Sequence, residues 1–130
     1  MTAMTRGKLI VSTSSEDLWL ENITELGWQV YLCSTPPFLM QTKSDQRMKE
    51  YTRLAMHGDI AQARIIRDSL NPVRTALKNT RPPDKPQAQQ KYWAELLGQV
   101  GGIVRRPLLN LTEEEKLTVK TAFDTCGLRI

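Results

Sequence analysis

The first third of the chain alternates short apolar runs with a helical period. Residues 7–11 read Gly-Lys-Leu-Ile-Val and pass into the hydroxyl cluster Ser12, Thr13, Ser14 and Ser15. Unbroken apolar character over so few positions predicts a strand buried on both faces, as in parallel sheets. Residues 17–26 predict a helix. Leu18, Trp19, Asn22, Ile23 and Leu26 recur at helical spacing, acids crowd the first turn, and Gly27 stops it. Residues 28–34, Trp-Gln-Val-Tyr-Leu-Cys-Ser, predict a second strand that Pro36 and Pro37 close. Strand, helix and strand make a βαβ unit, with parallel strands and a right-handed crossover.

The remainder reads as helix. Ser44 is expected to cap a helix reaching His57, with Met48, Tyr51, Leu54 and Ala55 on one face and Gly58 as its stop. Asp59 is expected to cap the next, whose apolar positions are Ile60, Ala63, Ile66, Leu70, Val73 and Leu77. Pro72 falls within that period and predicts a kink or break. Residues 80–86, Thr-Arg-Pro-Pro-Asp-Lys-Pro, predict an extended stiff linker. Residues 87–99 predict an amphipathic helix with the stripe Tyr92, Trp93, Leu96, Leu97 and Val100, ended by Gly101 and Gly102. An extended segment, 103–111, follows. Thr112 and Glu115 then form a capping box for the last helix, which Gly127 closes.

Two parallel strands with both faces covered do not make a sheet by themselves. The pattern therefore predicts that the chain belongs to something larger or associates to complete its sheet.

Composition narrows the class. The chain has 130 residues, 40% of them hydrophobic and 25% charged, an ordinary globular balance that sets aside collagenous and disordered classes. No apolar run approaches the roughly 20 residues of a membrane span, and none resembles a secretory core, so a cytoplasmic protein with no membrane partner is expected. Cys33 and Cys126 stand far apart without a CxxC pair, and His57 is the single histidine. Metal-ligand spacing is therefore absent, and two reduced, buried thiols are expected rather than a disulfide. Residues 43–110 carry 13 basic and six acidic side chains within a net charge of +4. The positive residues are scattered among acids and lack interleaved aromatics, which argues for a solvated face and against a nucleic-acid surface.

The C-terminal half carries a resemblance. Residues 90–98, Gln-Lys-Tyr-Trp-Ala-Glu-Leu-Leu-Gly, precede residues 101–109, Gly-Gly-Ile-Val-Arg-Arg-Pro-Leu-Leu; the acid-rich start Thr112-Glu113-Glu114-Glu115 and the ending Cys126-Gly127-Leu128 follow. This resembles the C-terminus of the dihydrodipicolinate synthase / N-acetylneuraminate lyase family. Residues 57–64 resemble that family's glycine-aspartate helix junction, and residues 92–96 lean toward its sugar-acid dehydratase branch. The resemblance implies an α/β fold class: the last two βα units of a (β/α)8 TIM barrel, followed by appended helices. Residues 9–14 and 29–34 would be strands seven and eight, two parallel strands in a mostly helical chain. Residues 1–57 would be partial barrel and residues 58–130 the C-terminal helical region.

Relatives form a Schiff base between a buried, neutral lysine and a 2-oxo acid such as pyruvate, then carry out aldol or dehydration chemistry. The resemblance places that lysine, a tyrosine acid/base and the carboxylate-binding loop in segments that do not match any part of this sequence, so no catalytic residue, cofactor or metal is expected in it. Lys8 would lie on the stability face of a barrel, and Tyr31 is read as core. What the resemblance implies here is a substrate-pocket rim: Ser12, Thr13, Ser14 and Ser15 after one strand, and Leu32, Cys33 and Ser34 at the end of the other. The hydroxyls serve equally as helix caps. His57 is read as a helix-end residue. Arg105 and Arg106 could hold a carboxylate, although the resemblance implies a structural tail. The first functional reading is a portion or truncated member of this lyase family, inactive alone. The partner expected is a second copy or a barrel-completing chain. The alternatives are a non-enzymatic assembly or regulatory subunit and, with least support, a basic nucleic-acid binder.

Overall fold

The computed structural model describes residues 15–27 and 37–130. Every regular element among them is helical: α1 (Trp19–Leu26), α2 (Arg47–Met56), α3 (Ile60–Asp68), α4 (Asn71–Asn79), α5 (Pro86–Leu96) and α6 (Glu113–Thr125), with 3-10 turns at Glu16–Leu18 and Pro37–Met40. The expectation of an α/β class, the end of a TIM barrel with two parallel strands, is thereby corrected. No strand occurs among the described residues, and the two segments read as strands, 9–14 and 29–34, lie outside them. The first run rests on apolar continuity and the second on its β-branched and aromatic content before Pro36 and Pro37, and neither signal by itself fixes a strand.

The described residues divide between two compact units, one built on residues 15–27 and Gln46–Ser69, the other on Phe38–Asp45 and Leu70–Ile130. In the first unit α2 packs on α1 and α3. Its core is Trp19, Leu20, Ile23, Met48, Tyr51, Ala55 and Ala63. Side chains tie elements far apart in sequence. Tyr51 Oη donates to Glu16 Oε1 at 2.6 Å, and Trp19 Nε1 donates to Thr52 Oγ1 at 3.1 Å. Arg67 Nη2 donates to the Asp17 carbonyl at 2.6 Å, while Arg47 Nη1 reaches the Ser69 carbonyl at 2.8 Å.

In the second unit α6 packs on α4 and α5. Trp93, with no exposed surface, sits edge-on to Phe123 at a centroid distance of 5.1 Å and donates its indole N–H to the Leu39 carbonyl at 2.9 Å. Leu70, Val73, Leu77, Val104, Leu111 and Val119 fill the space around them. Gln89 is buried because its amide closes the end of α4, donating to the Leu77 carbonyl at 3.0 Å and to Thr80 Oγ1 at 3.2 Å.

Several boundaries follow the sequence and several move. Asp59 caps α3 through the Gln62 N–H, the chain breaks between α3 and α4 with Pro72 in the first turn of α4, and the Thr112–Glu115 capping box is formed in both directions. Ser44 does not cap α2, which starts at Arg47. Thr42 Oγ1 instead accepts from the Ser44 and Asp45 N–H groups, 3.1 and 2.9 Å away. The linker is not extended, because the Lys85 N–H bonds the Pro82 carbonyl at 3.1 Å and makes a turn. The amphipathic helix ends at Leu96. Gly98, at φ +76°, takes the left-handed position, and the Gln99 N–H bonds the Ala94 carbonyl at 2.9 Å. That termination puts Val100 outside the stripe and fully in solvent.

Candidate functional site

Past Gly98 the chain doubles back along α5 as a strap. Two side chains of α5, one turn apart, hold it. Lys91 Nζ donates to the Gly101 and Ile103 carbonyls at 2.8 and 3.0 Å, and Glu95 Oε1 accepts from the Gly102 N–H at 2.7 Å. Gly101 lies so close to α5 that a Cβ there would stand 2.2 Å from the Lys91 carbonyl oxygen, so no larger residue fits without moving backbone. Further on, Asn110 Oδ1 accepts from the Val104 N–H at 3.0 Å and folds residues 104–110 into a loop.

The strap, α5 and the start of α6 enclose a cleft of about 130 Å³. Ala88, Tyr92 and Glu95 line it from one face of α5 at helical spacing. Gly102, Ile103, Asn110 and Leu111 line it from the strap, and Lys116 from α6. The charges around it are ordered by ion pairs. Lys85 Nζ lies 2.9 and 2.8 Å from the two Glu115 oxygens. That ammonium, with help from the Thr112 N–H, holds the Glu115 carboxyl below its ordinary value. Lys116 is pushed up, first by the hydrogen bond to Glu113 at 2.8 Å and also by the nearby Tyr92 and Glu95. Lys120 is raised by Asp124, its i+4 partner.

The residues singled out from sequence fall elsewhere. Ser12, Thr13, Ser14, Leu32, Cys33 and Ser34, like Lys8 and Tyr31, lie outside the described residues. Ser15 is extended, at φ −123°, and its carbonyl accepts from the Leu18 N–H at 3.4 Å, so it stands at the start of the 3-10 turn. His57 is the exposed C-cap of α2. Cys126 is buried with its Sγ 3.1 Å from the Phe123 carbonyl. Arg105 and Arg106 are both exposed on the loop after the strap. Among the described residues no cluster of three or more His, Cys, Asp or Glu side chains could hold a metal ion, and no helix is long and apolar enough to cross a membrane.

Sequence reasoning missed the cleft because Tyr92 was assigned to the buried stripe and Gly101-Gly102 to a helix stop. The available signal was Lys91 and Glu95, four apart on α5, with the Gly101-Gly102 pair beginning six residues after Glu95. They face the strap rather than each other.

No protein-family profile matches the chain. Over 75 residues it is 36% identical to 4-hydroxy-tetrahydrodipicolinate synthase of Neisseria gonorrhoeae, a match covering 58% of this chain and 24% of that protein. The chain thus spans about a quarter of the length of the curated relative it matches. The likeness is to a dihydrodipicolinate synthase, and it lends nothing to the sugar-acid branch.

Proposed function

We propose that this chain is the structural C-terminal part of a Schiff-base-forming lyase acting on 2-oxo acids, and that by itself it forms no imine. The 36% identity over 75 residues to a dihydrodipicolinate synthase carries this reading. Imine chemistry needs a neutral amine whose lone pair attacks the keto carbon before water departs. The lysines around the cleft are unsuited to it. Lys85, Lys116 and Lys120 are bound to carboxylates and Lys91 to two carbonyls, and Lys116 and Lys120 are held protonated by their partners. An ammonium bound in this way has no lone pair to give.

The chain then acts by association, with a second copy or with a chain that carries the imine-forming segments. Large apolar side chains in solvent support this: Val100, Leu109 and Leu117 are all more than half exposed. The same observation favours the second reading, an assembly subunit that pairs with a full-length homologue and performs no chemistry.

Two measurements test the proposal. Borohydride added to the chain with pyruvate should give no mass increase, and a trapped adduct on any lysine would overturn the inactive reading. Light scattering after size exclusion should show a species heavier than a monomer. A sharp monomer at all concentrations would remove self-association and leave only a different partner chain.

A further inference from the structure

The cleft at the strap joins an apolar wall to two opposite charges, and the inactive reading above assigns it no ligand. Ala88, Ile103 and Leu111 supply the wall, and Tyr92, Glu95, Asn110 and Lys116 the polar rim. The rim is held in place before any ligand arrives. Glu95 spends one oxygen on the Gly102 N–H, and Asn110 spends its carbonyl oxygen on the Val104 N–H, which leaves the Asn110 NH2 outside that bond. Lys116 pairs with Glu113, whose side chain is 90% exposed. A surface pair of that kind contributes little and exchanges readily for another carboxylate.

The charges limit what fits. A simple carboxylate drawn to Lys116 would be repelled by Glu95, and a simple amine drawn to Glu95 would be repelled by Lys116. An uncharged hydrocarbon would cover both rim charges and pair neither. A molecule carrying both charges on one carbon, with an aliphatic branch, satisfies all three surfaces. We propose that this cleft binds a small zwitterion, an aliphatic α-amino acid. Its carboxylate lies on Lys116, its ammonium on Glu95, and its side chain against Ala88, Ile103 and Leu111. A volume near 130 Å³ suits a short branched side chain with its polar end at the rim.

The test is a titration of the whole chain with L-leucine, followed by the methyl signals of Ile103 and Leu111 and the amide signals of Glu95 and Lys116. Saturable shifts at these positions are expected, with a Kd in the millimolar range, about that of a small ligand held by a few contacts. Isocaproate lacks the amine, isoamylamine lacks the carboxylate and glycine lacks the side chain; each should bind weaker by about tenfold or more. Lys116→Gln should erase the preference for leucine over isoamylamine. Glu95→Gln, which keeps an acceptor for the Gly102 N–H, should erase the preference over isocaproate. Unchanged unfolding midpoints confirm that both variants fold. The proposal is overturned if leucine up to about 10 mM shifts none of these signals. Equal binding of leucine and isocaproate would also overturn it, pointing to a purely apolar occupant such as a partner's side chain. Selectivity that survives both substitutions would do the same.

Discussion

Each unit has polar side chains that reach across the sequence, and the two differ in what accompanies them. In the unit containing α1, α2 and α3, polar side chains reach across long stretches of sequence. Tyr51 meets Glu16, Trp19 meets Thr52, and Arg67 meets both the Asp17 carbonyl and, at 4.0 Å, Glu21. The unit containing α4, α5 and α6 also has such bonds, from Trp93 to the Leu39 carbonyl, from Lys85 to Glu115 and from the Arg129 N–H to Asp45, but adds an aromatic pair at its centre and motifs closed within a few residues: the α6 capping box and the glycine termination of α5. Local motifs are written in short words of sequence, so they survive a reading without structure. Long-range polar pairs are not. A buried hydrogen-bonding group must find a partner once packed, but its identity depends on which elements meet.

The largest effect should come from the aromatic centre. Trp93→Ala removes a fully buried indole, its contact with Phe123 and its bond to Leu39, and should cost about 3–5 kcal/mol in chemical denaturation. Amide exchange should rise in α5 and α6; protection left unchanged there would mean that the unit is organised around something else. Next is Tyr51→Phe, which takes the donor from the buried Glu16 carboxyl and should cost about 1–3 kcal/mol, with faster exchange in α2. A neutral result would show that this unit relies on apolar packing alone and that its long-range polar bonds do not hold it.

Thr112→Ala should cost about 1 kcal/mol and fray the first turn of α6, seen as lost amide protection at Glu114 and Glu115. The smallest effect is on pH. Glu115 is held below its ordinary carboxyl value of 4.5 by Lys85 first and the Thr112 N–H second. Its contribution to stability is therefore complete above 4.5 and disappears as pH falls through the folded-state value. Glu115→Gln should flatten the acid limb of the thermal midpoint profile below about pH 4.5 and shift it little near neutrality. An identical acid limb in both proteins would assign the dependence to other carboxylates.

The boundaries of α3, α4 and α6 were legible because period, caps and proline agree there. Asp59 and Gln62, Pro72, Thr112 and Glu115 all act where their spacing places them. The errors came where one local rule was applied against a competitor. Ser44 had the chemistry of a cap, but the Thr42 hydroxyl took the Ser44 and Asp45 N–H groups first. Val100 continued a helical period past Gly98, which had already turned the chain. The candidate site was less legible still. The pocket rim inferred from resemblance falls mostly outside the described residues, and the cleft involves Glu95 and Lys116, 21 positions apart.

The sequence by itself determined where most helices stop and start, since those choices are settled by backbone groups within one turn of the deciding residue. It also carried the likeness to a dihydrodipicolinate synthase, because residue identities survive without geometry. Tertiary structure alone decided that Lys91 and Glu95 clamp a returning strap and that Lys116 joins Glu95 at one cleft. Each of these depends on which surfaces meet. That is fixed by packing among residues far apart in the chain, and no local pattern encodes it.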